Sequence, residues 1–415
     1  MKFSRDLTSR SARRLLRTPA RFARREVLPR VLPPARKMLA PKSHHVRVVG
    51  LLSSATGIGK SGRLCLEILR TAAYMASTHD VSALFAADDD ISYEASDLSA
   101  SGGFSIYHLN PPMLLPALIR SGLNRYYGSY NIGYWAWELE TLPREWVSAI
   151  KFMHAIFVPS RFCQAAIQRY TEKPVIVVAP PFSPCSGSIG VKRRHGLFRV
   201  VNVFRFGSSF ERKNPIALVK AFRLAFGADT QTQLVLKTSD GARFPSEISR
   251  LRKAIGDMDN VVVIDEVWPE DRLAEIIQSA DVYASLHRSE GYGFPLAEAM
   301  VAGVPVLATN WSGNTDFCLP EHSFPVDFTL VPVRDGHGDY DQVSDARWAE
   351  PSVDHAAEQL QRIRNDIGGA HQRAQSGRQF LARHIATHDY LGALDSIVTG
   401  TALAPAGPAC QDRGH

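Results

Sequence analysis

Short apolar runs alternate with helical patterns along almost the whole chain. The first half offers Val46–Leu52, Val81–Phe85, Phe104–Leu109, Ile132–Trp137, Ala155–Val158 and Val175–Ala179. The second offers Phe198–Phe204, Gln233–Lys237, Val261–Ile264, Asp281–Leu286 and Val304–Ala308. Strands that alternate with helices predict parallel sheets, because a parallel pair needs a long crossover that returns over one face. Between the two sets lies Pro180-Pro-Phe-Ser-Pro-Cys-Ser-Gly-Ser-Ile-Gly, which reads as a linker. The predicted fold class is α/β, with two doubly wound domains facing a ligand cleft. The predicted divisions are a basic tail over 1–45, a first domain over 46–182, a linker over 183–196 and a second domain over 197–382. A helix over 383–402 then packs back on the first domain, and 403–415 is a tail. Gln361–Val398 reads as helical throughout.

Charge is distributed unevenly. The 415 residues carry a formal +7, but residues 1–47 hold 14 Lys or Arg against Asp6 and Glu26. That segment is therefore +12, and the remainder is −5. A net acidic body argues against a nucleic-acid partner. Within the tail, Arg13, Arg14, Arg17, Arg21, Arg24 and Arg25 are interleaved with Leu15, Leu16, Phe22 and Val27. This pattern suits a basic amphipathic helix on an anionic membrane surface, and equally a solvated arm; its Arg-rich, acid-poor composition also allows a transit peptide. No apolar run reaches the roughly 18–20 residues that span a bilayer, and no secretory signal is read at the N-terminus. The expected location is cytoplasmic, peripheral to the membrane's inner face if the tail docks. The five cysteines (Cys65, Cys163, Cys185, Cys318, Cys410) are scattered without ligand spacing, which predicts reduced thiols and no metal site. Asp88-Asp-Asp imitates a metal-binding acidic motif but reads as a solvated loop.

Residues 289–305, Ser-Glu-Gly-Tyr-Gly-Phe-Pro-Leu-Ala-Glu-Ala-Met-Val-Ala-Gly-Val-Pro, carry the most chemistry. The apolar run before Glu290 predicts a strand. Pro295 suits a helix start, and Gly303 suits its end. Strand, glycine loop and helix start together form an anion site, with N–H groups and the helix dipole aimed at a phosphate. Glu298, in the first helical turn, can accept from vicinal hydroxyls such as a ribose. Glu290 can do the same for a sugar. The alternative is that both carboxylates face solvent.

This stretch resembles the Glu-x7-Glu signature of the retaining glycosyltransferases of the GT-B fold, group 1 or family 4. Asn310-Trp-Ser-Gly-Asn-Thr-Asp-Phe follows where that family has a second small-residue loop, and the resemblance covers most of 46–395. It implies two Rossmann-like domains, the first for an acceptor and the second for a nucleotide diphosphate sugar. It also implies retaining transfer of a hexosyl group without a cofactor, to a glycan or lipid-linked acceptor hydroxyl. The expected donor-binding residues are Glu298, Gly291, Tyr292, Gly293 and Phe294, with Glu290 catalytic beside the transferred sugar. In Phe204-Arg-Phe-Gly-Ser-Ser-Phe-Glu-Arg-Lys-Asn-Pro, Lys213 matches the family lysine on the pyrophosphate. Arg205 matches the family arginine if the loop is about two residues longer, and Arg212 competes for that place.

Ser54-Ala-Thr-Gly-Ile-Gly-Lys-Ser almost spells a P-loop but lacks its first glycine. In the resembling family a glycine loop stands here, so Gly57 and Gly59 are expected at the cleft. Arg63 faces either cleft or solvent. His108, Trp135 and Glu138, at strand ends, are expected on the acceptor side, with Asn110 in the place of the family's usual histidine. Arg212-Lys-Asn-Pro and Trp348-Ala-Glu-Pro are similar to segments of bacterial polysaccharide mannosyltransferases, which favours mannose and hence GDP-mannose. Two other readings stay open: an epimerase of the same fold, and a non-catalytic scaffold docked by its tail.

Overall fold

The computed structural model describes residues 26–401 apart from 39, 42, 44, 73, 88–90, 97–101, 183–195, 337 and 339. The Arg-rich segment, Asp88-Asp-Asp, nearly all of the linker, Cys185, Cys410 and the final tail lie outside the described residues.

The first domain is a six-stranded sheet of order β2-β1-β3-β4-β5-β6, all parallel. Its strands are β1 (His45–Gly50), β2 (Met75–Asp80), β3 (Phe104–His108), β4 (Tyr130–Tyr134), β5 (Ala155–Val158) and β6 (Val175–Val177). The second domain repeats the architecture in the order β12-β11-β10-β7-β8-β9. Here β7 is Phe198–Val203, β8 Thr232–Thr238, β9 Val261–Asp265, β10 Val282–Ser285, β11 Val306–Thr309 and β12 Phe324–Val326. Strand order reverses between β1 and β3 in one sheet and between β7 and β10 in the other. Ligands of doubly wound sheets bind at such switch points, beyond the carboxyl ends of the strands.

Most predicted strands stand where expected, with one correction. Val81–Phe85 is not a strand; Ser82–Phe85 is a single 3₁₀ turn, and the strand is the preceding Met75-Ala-Ser-Thr-His-Asp. As an edge strand β2 needs little apolar surface, so periodicity does not reveal it. The turn forms because the Asp80 carboxylate accepts from Ser82 N at 2.8 Å and from the Leu52 and Ser53 amides at 3.1 Å. The predicted long helix is also three helices: Val353–Asn365, Ile367–Thr387 and Tyr390–Thr399. Asp366 and Asp389 break it by capping Gly369 N and Gly392 N, at 2.9 and 2.8 Å.

The last helix buries Tyr390, Ala393 and Leu394 among Val46, Ile106 and Phe157 of the first domain. The chain just before β1 also belongs to that domain. Leu28, Leu32 and Ala35 pack on its core, and Ala35 N donates to Lys151 O at 3.1 Å. An antiparallel hairpin, β13 (Phe328–Pro332) and β14 (Arg347–Pro351), was not foreseen. It crosses from the second domain and places Tyr340, Val343 and Trp348 in the first domain's core beside Trp137 and Trp146. The cleft therefore has a wall made by the other domain. Among the described residues no helix is long and apolar enough to cross a membrane. Cys65, Cys163 and Cys318 are buried free thiols.

Candidate active site

Two loops at the β7/β10 switch point build the centre of the site. After β7, one helical turn (Phe210–Lys213) is held between Ser209 and Asn214, both at positive φ. Ser209 caps the turn by accepting from Arg212 N at 3.3 Å, and Pro215 starts the next helix. So short a turn projects Arg212 and Lys213 together. After β10, Gly293 takes φ +95° and caps the helix Phe294–Val301, with Pro295 in its first turn. The small-residue loop after β11 braces this segment. Glu290 N donates to Ser312 Oγ at 2.8 Å, and Gly313 N to Glu290 O at 2.9 Å. A Cβ on Gly313 would stand 2.2 Å from Gly291 O, so only glycine permits this approach.

Glu290 is 8% exposed and sits between two cations. Arg212 Nη1 donates to Glu290 Oε2 at 3.0 Å, and Lys213 Nζ bonds Glu290 Oε1. Burial opposes the charge on Glu290, but Lys213 and Arg212 outweigh it and hold the carboxyl down to about 2. Burial also lowers Lys213, against the pull of Glu290. Arg212 is raised despite its burial, by Tyr340, Glu138 and Glu290. Arg212 Nη1 and Nη2 also donate to Ser289 O and Ser208 O, at 2.9 and 3.0 Å. These bonds order the pair before any ligand arrives, as a charge-stabilising site requires. A small pocket beside Glu290 is lined by Asn202, Lys213, Tyr283, Ser285, Gly293 and Pro295.

The first domain closes over this centre. Gly291 O accepts from Ser160 Oγ at 2.7 Å and from Cys163 Sγ at 3.3 Å. A Cβ on Gly291 would meet Ala136 Cβ at 3.3 Å. Glu138 reaches across, with Oε1 3.6 Å from Arg212 Nη2, Oε2 3.5 Å from the Tyr340 hydroxyl, and its carbonyl bonded by Ser289 Oγ. The Trp348-Ala-Glu-Pro segment supports the loop from behind. Arg288 Nε donates to Glu350 at 2.6 Å, its guanidinium lies 5.5 Å from the Trp348 ring centre, and Ala349 N donates to Arg288 O at 2.9 Å.

The other predicted residues fall into two groups. Gly57 faces the cleft, where a Cβ would lie 3.8 Å from Phe294 Cδ2. Gly59 instead serves a tight turn, its missing Cβ 2.5 Å from Leu51 O. Glu298 stands at the fifth residue of its helix rather than in the first turn, and it bonds Lys60 of the first domain. Arg63 faces the cleft, with Nη2 2.6 Å from Glu270. Tyr292 is buried against Phe317 at 4.9 Å between ring centres, so its ring is part of the second domain's core.

Arg205, His108, Trp135 and Asn110 also differ from the expectation. Arg205 pairs with Asp240 at 2.8 Å, and Arg212 is the arginine beside Lys213 on Glu290. His108 is fully buried, stacked on Tyr134 at 4.7 Å and hydrogen-bonded to Ser61 at 2.8 Å. Burial pushes its imidazole down to about 3, so it is a neutral core residue. Trp135 is equally buried, edge-on to Trp146 at 5.9 Å; neither ring offers a face to an acceptor. Asn110 Oδ1 accepts from Ala136 N at 3.1 Å and so ties two loops of the first domain. Large residues at a strand end were readable as core or as site, and burial resolves them as core. Lys60 and Tyr340 were missed. Lys60 lies in the glycine-loop motif Ser54-Ala-Thr-Gly-Ile-Gly-Lys-Ser, directly after the two glycines expected at the cleft. Nothing in the sequence pointed to Tyr340.

Among the described residues no group of His, Cys, Asp and Glu could hold a metal ion.

Residues 200–322, which carry Lys213, Glu290 and Glu298, match the family of glycosyl transferases group 1. No curated protein matches the chain. Solved structures share the fold at low identity. TarM of S. aureus, in complex with UDP and alpha-GlcNAc-glycerol, is 11% identical with a TM-score of 0.52, over 71% of this chain and 55% of TarM. The chain thus spans about half the length of TarM. HepE of Anabaena, in complex with UDP and glucose, is 12% identical (TM-score 0.57) over 86% of this chain and 97% of HepE. Sucrose-phosphate synthase of Thermosynechococcus elongatus is 14% identical (TM-score 0.61) over 86% and 97%. At these identities the likeness is one of fold, and the fold is GT-B.

Proposed function

We propose that this chain, with its group 1 segment at 200–322, is a retaining glycosyltransferase that moves a hexosyl group from a nucleotide diphosphate sugar to an acceptor hydroxyl. The observation that carries this reading is the clamp of Lys213 and Arg212 on Glu290 at the β7/β10 switch point. Breaking the anomeric bond leaves growing negative charge on the departing phosphate. The half-buried Lys213, the buried Arg212 and the start of the helix Phe294–Val301 supply fixed positive charge for it. Glu290 orients the sugar through its hydroxyls, and Glu298 accepts from the ribose. The acceptor oxygen attacks the anomeric carbon on the face the phosphate leaves. Its proton passes to a phosphate oxygen, so no enzyme nucleophile is needed. No cofactor enters this scheme.

Mannose is the proposed hexose and GDP the proposed carrier, on the similarity of Arg212-Lys-Asn-Pro and Trp348-Ala-Glu-Pro to polysaccharide mannosyltransferases. A uridine donor is the second reading, because the HepE and TarM structures hold UDP. Thermal shift with a panel of sugar nucleotides, in parent and Glu298→Ala, tests both. One donor should raise the parent midpoint by several degrees and leave the variant's unchanged; equal shifts in both would remove Glu298 from the site.

The acceptor is proposed to be a glycan or lipid-linked sugar. The Arg-rich tail is proposed to hold the enzyme on an anionic membrane surface. Full-length protein should float with phosphatidylserine vesicles at low salt, and the variant with Arg13, Arg14 and Arg17 changed to Gln should do so less. Equal flotation would sink the docking role.

A further inference from the structure

Lys60 belongs to the first domain, yet it points into the second domain's donor loop. The helix Gly57–Thr71 begins against Phe294, and Lys60 lies one turn in. Its ammonium bonds Glu298 Oε1, stands 3.3 Å from Glu270 Oε2 and lies 6.0 Å from the Phe182 ring centre. Arg63, three residues on, donates through Nη1 to the Leu52 and Ser54 carbonyls at 2.8 Å and through Nη2 to Glu270 at 2.6 Å. Glu270 thus joins both cations, and Arg63 is anchored to its own domain's backbone. The Lys60 side chain is only 22% exposed. Burial would discharge it, but Glu298 and Glu270 outweigh burial and keep it protonated at neutral pH.

We propose that Lys60 is a donor-diphosphate ligand contributed by the first domain, with Glu270 as the positioning residue that keeps it in the cleft. This rests on the donor site proposed above. A ribose on Glu298 takes over the acceptor oxygen that Lys60 now uses. The diphosphate arrives beside Gly293 and Phe294, within reach of the ammonium released. Lys60 keeps Glu270 and exchanges Glu298 for a phosphate oxygen, a charge-assisted bond. Donor affinity then depends on the first domain being closed, which couples closure to occupancy.

Calorimetry on the full chain tests this with the nucleoside diphosphate, and with the nucleoside alone, of whichever base the parent binds. Lys60→Met should weaken the diphosphate about tenfold or more, with nucleoside affinity within about twofold. Lys60→Arg should restore most of the loss. Glu270→Gln should weaken the diphosphate by a few fold, again sparing the nucleoside; a purely structural tie would weaken both ligands alike. Unchanged or tighter diphosphate binding by Lys60→Met would overturn the inference, because Lys60 would then only compete with the ribose. Failure of the parent to bind any nucleoside diphosphate would overturn the donor site itself, and this inference with it.

Discussion

Lys213→Ala should lower turnover by about 10²–10³-fold, with donor affinity changed by less than about tenfold. The reason lies in where the charge is held. Lys213 is paired with Glu290, and Arg212 shares the same carboxylate. The donor already carries its diphosphate charge in the ground state, so Arg212 and the helix start retain much of the binding. On the proposed mechanism, Lys213 answers the extra charge that develops as the anomeric bond breaks. Steady-state kinetics with the donor found by thermal shift would separate the two effects. A raised KM with unchanged kcat would show that Lys213 binds ground and transition states equally, and the leaving-group role would be wrong.

Glu290→Gln should abolish transfer and also destabilise the fold by about 3–5 kcal/mol, because it leaves the buried Arg212 with only Glu138, at 3.6 Å, and takes the carboxylate from Lys213. For a domain of this size that is roughly a 10 °C loss in midpoint. The pH dependence has a definite sign. Glu290 titrates at about 2 in the folded chain, below its ordinary value of 4.5. Its stabilisation is therefore complete above about pH 4.5 and is lost as pH falls toward 2. A shift of this size corresponds to about 3 kcal/mol. The stability gap between parent and Glu290→Gln should accordingly be widest near neutrality and shrink below pH 4.5. Denaturant midpoints at pH 7, 5 and 3.5 would check this, and a gap independent of pH would mean that Glu290 is not ionised in the clamp.

Both results would locate the chemistry in the second domain, but the site is not the second domain's alone. Glu138, Ser160, Lys60 and Arg63 reach it from the first. The β13–β14 hairpin returns the exchange by placing Tyr340 and Trp348 in the first domain's core. A substitution in either domain can therefore act on the other through closure, and kcat and KM should be measured together for any of them.

Local pattern alone was enough for the doubly wound architecture and for the strand, glycine loop and helix that carry Glu290 and Glu298. Apolar runs, Gly293 and Pro295 act through backbone sterics and short-range burial, which a linear sequence expresses directly. Lys213 stood out through the resemblance, as the match to the family's lysine a few residues after β7. Folded contacts decided the rest. Whether Arg205 or Arg212 meets Glu290 depends on a one-turn helix set by positive φ at Ser209 and Asn214, which loop length does not reveal. Whether His108 and Trp135 are ligands or core depends on what covers the strand end, and Tyr134 and Trp146 cover it. Edge strand β2 escaped notice because an edge needs no apolar alternation. The pairing of Lys60 with Glu298 joins residues 238 positions apart on two domains. Charge pairs of that kind are selected by the approach of two folded surfaces, and no periodicity along the chain encodes that approach.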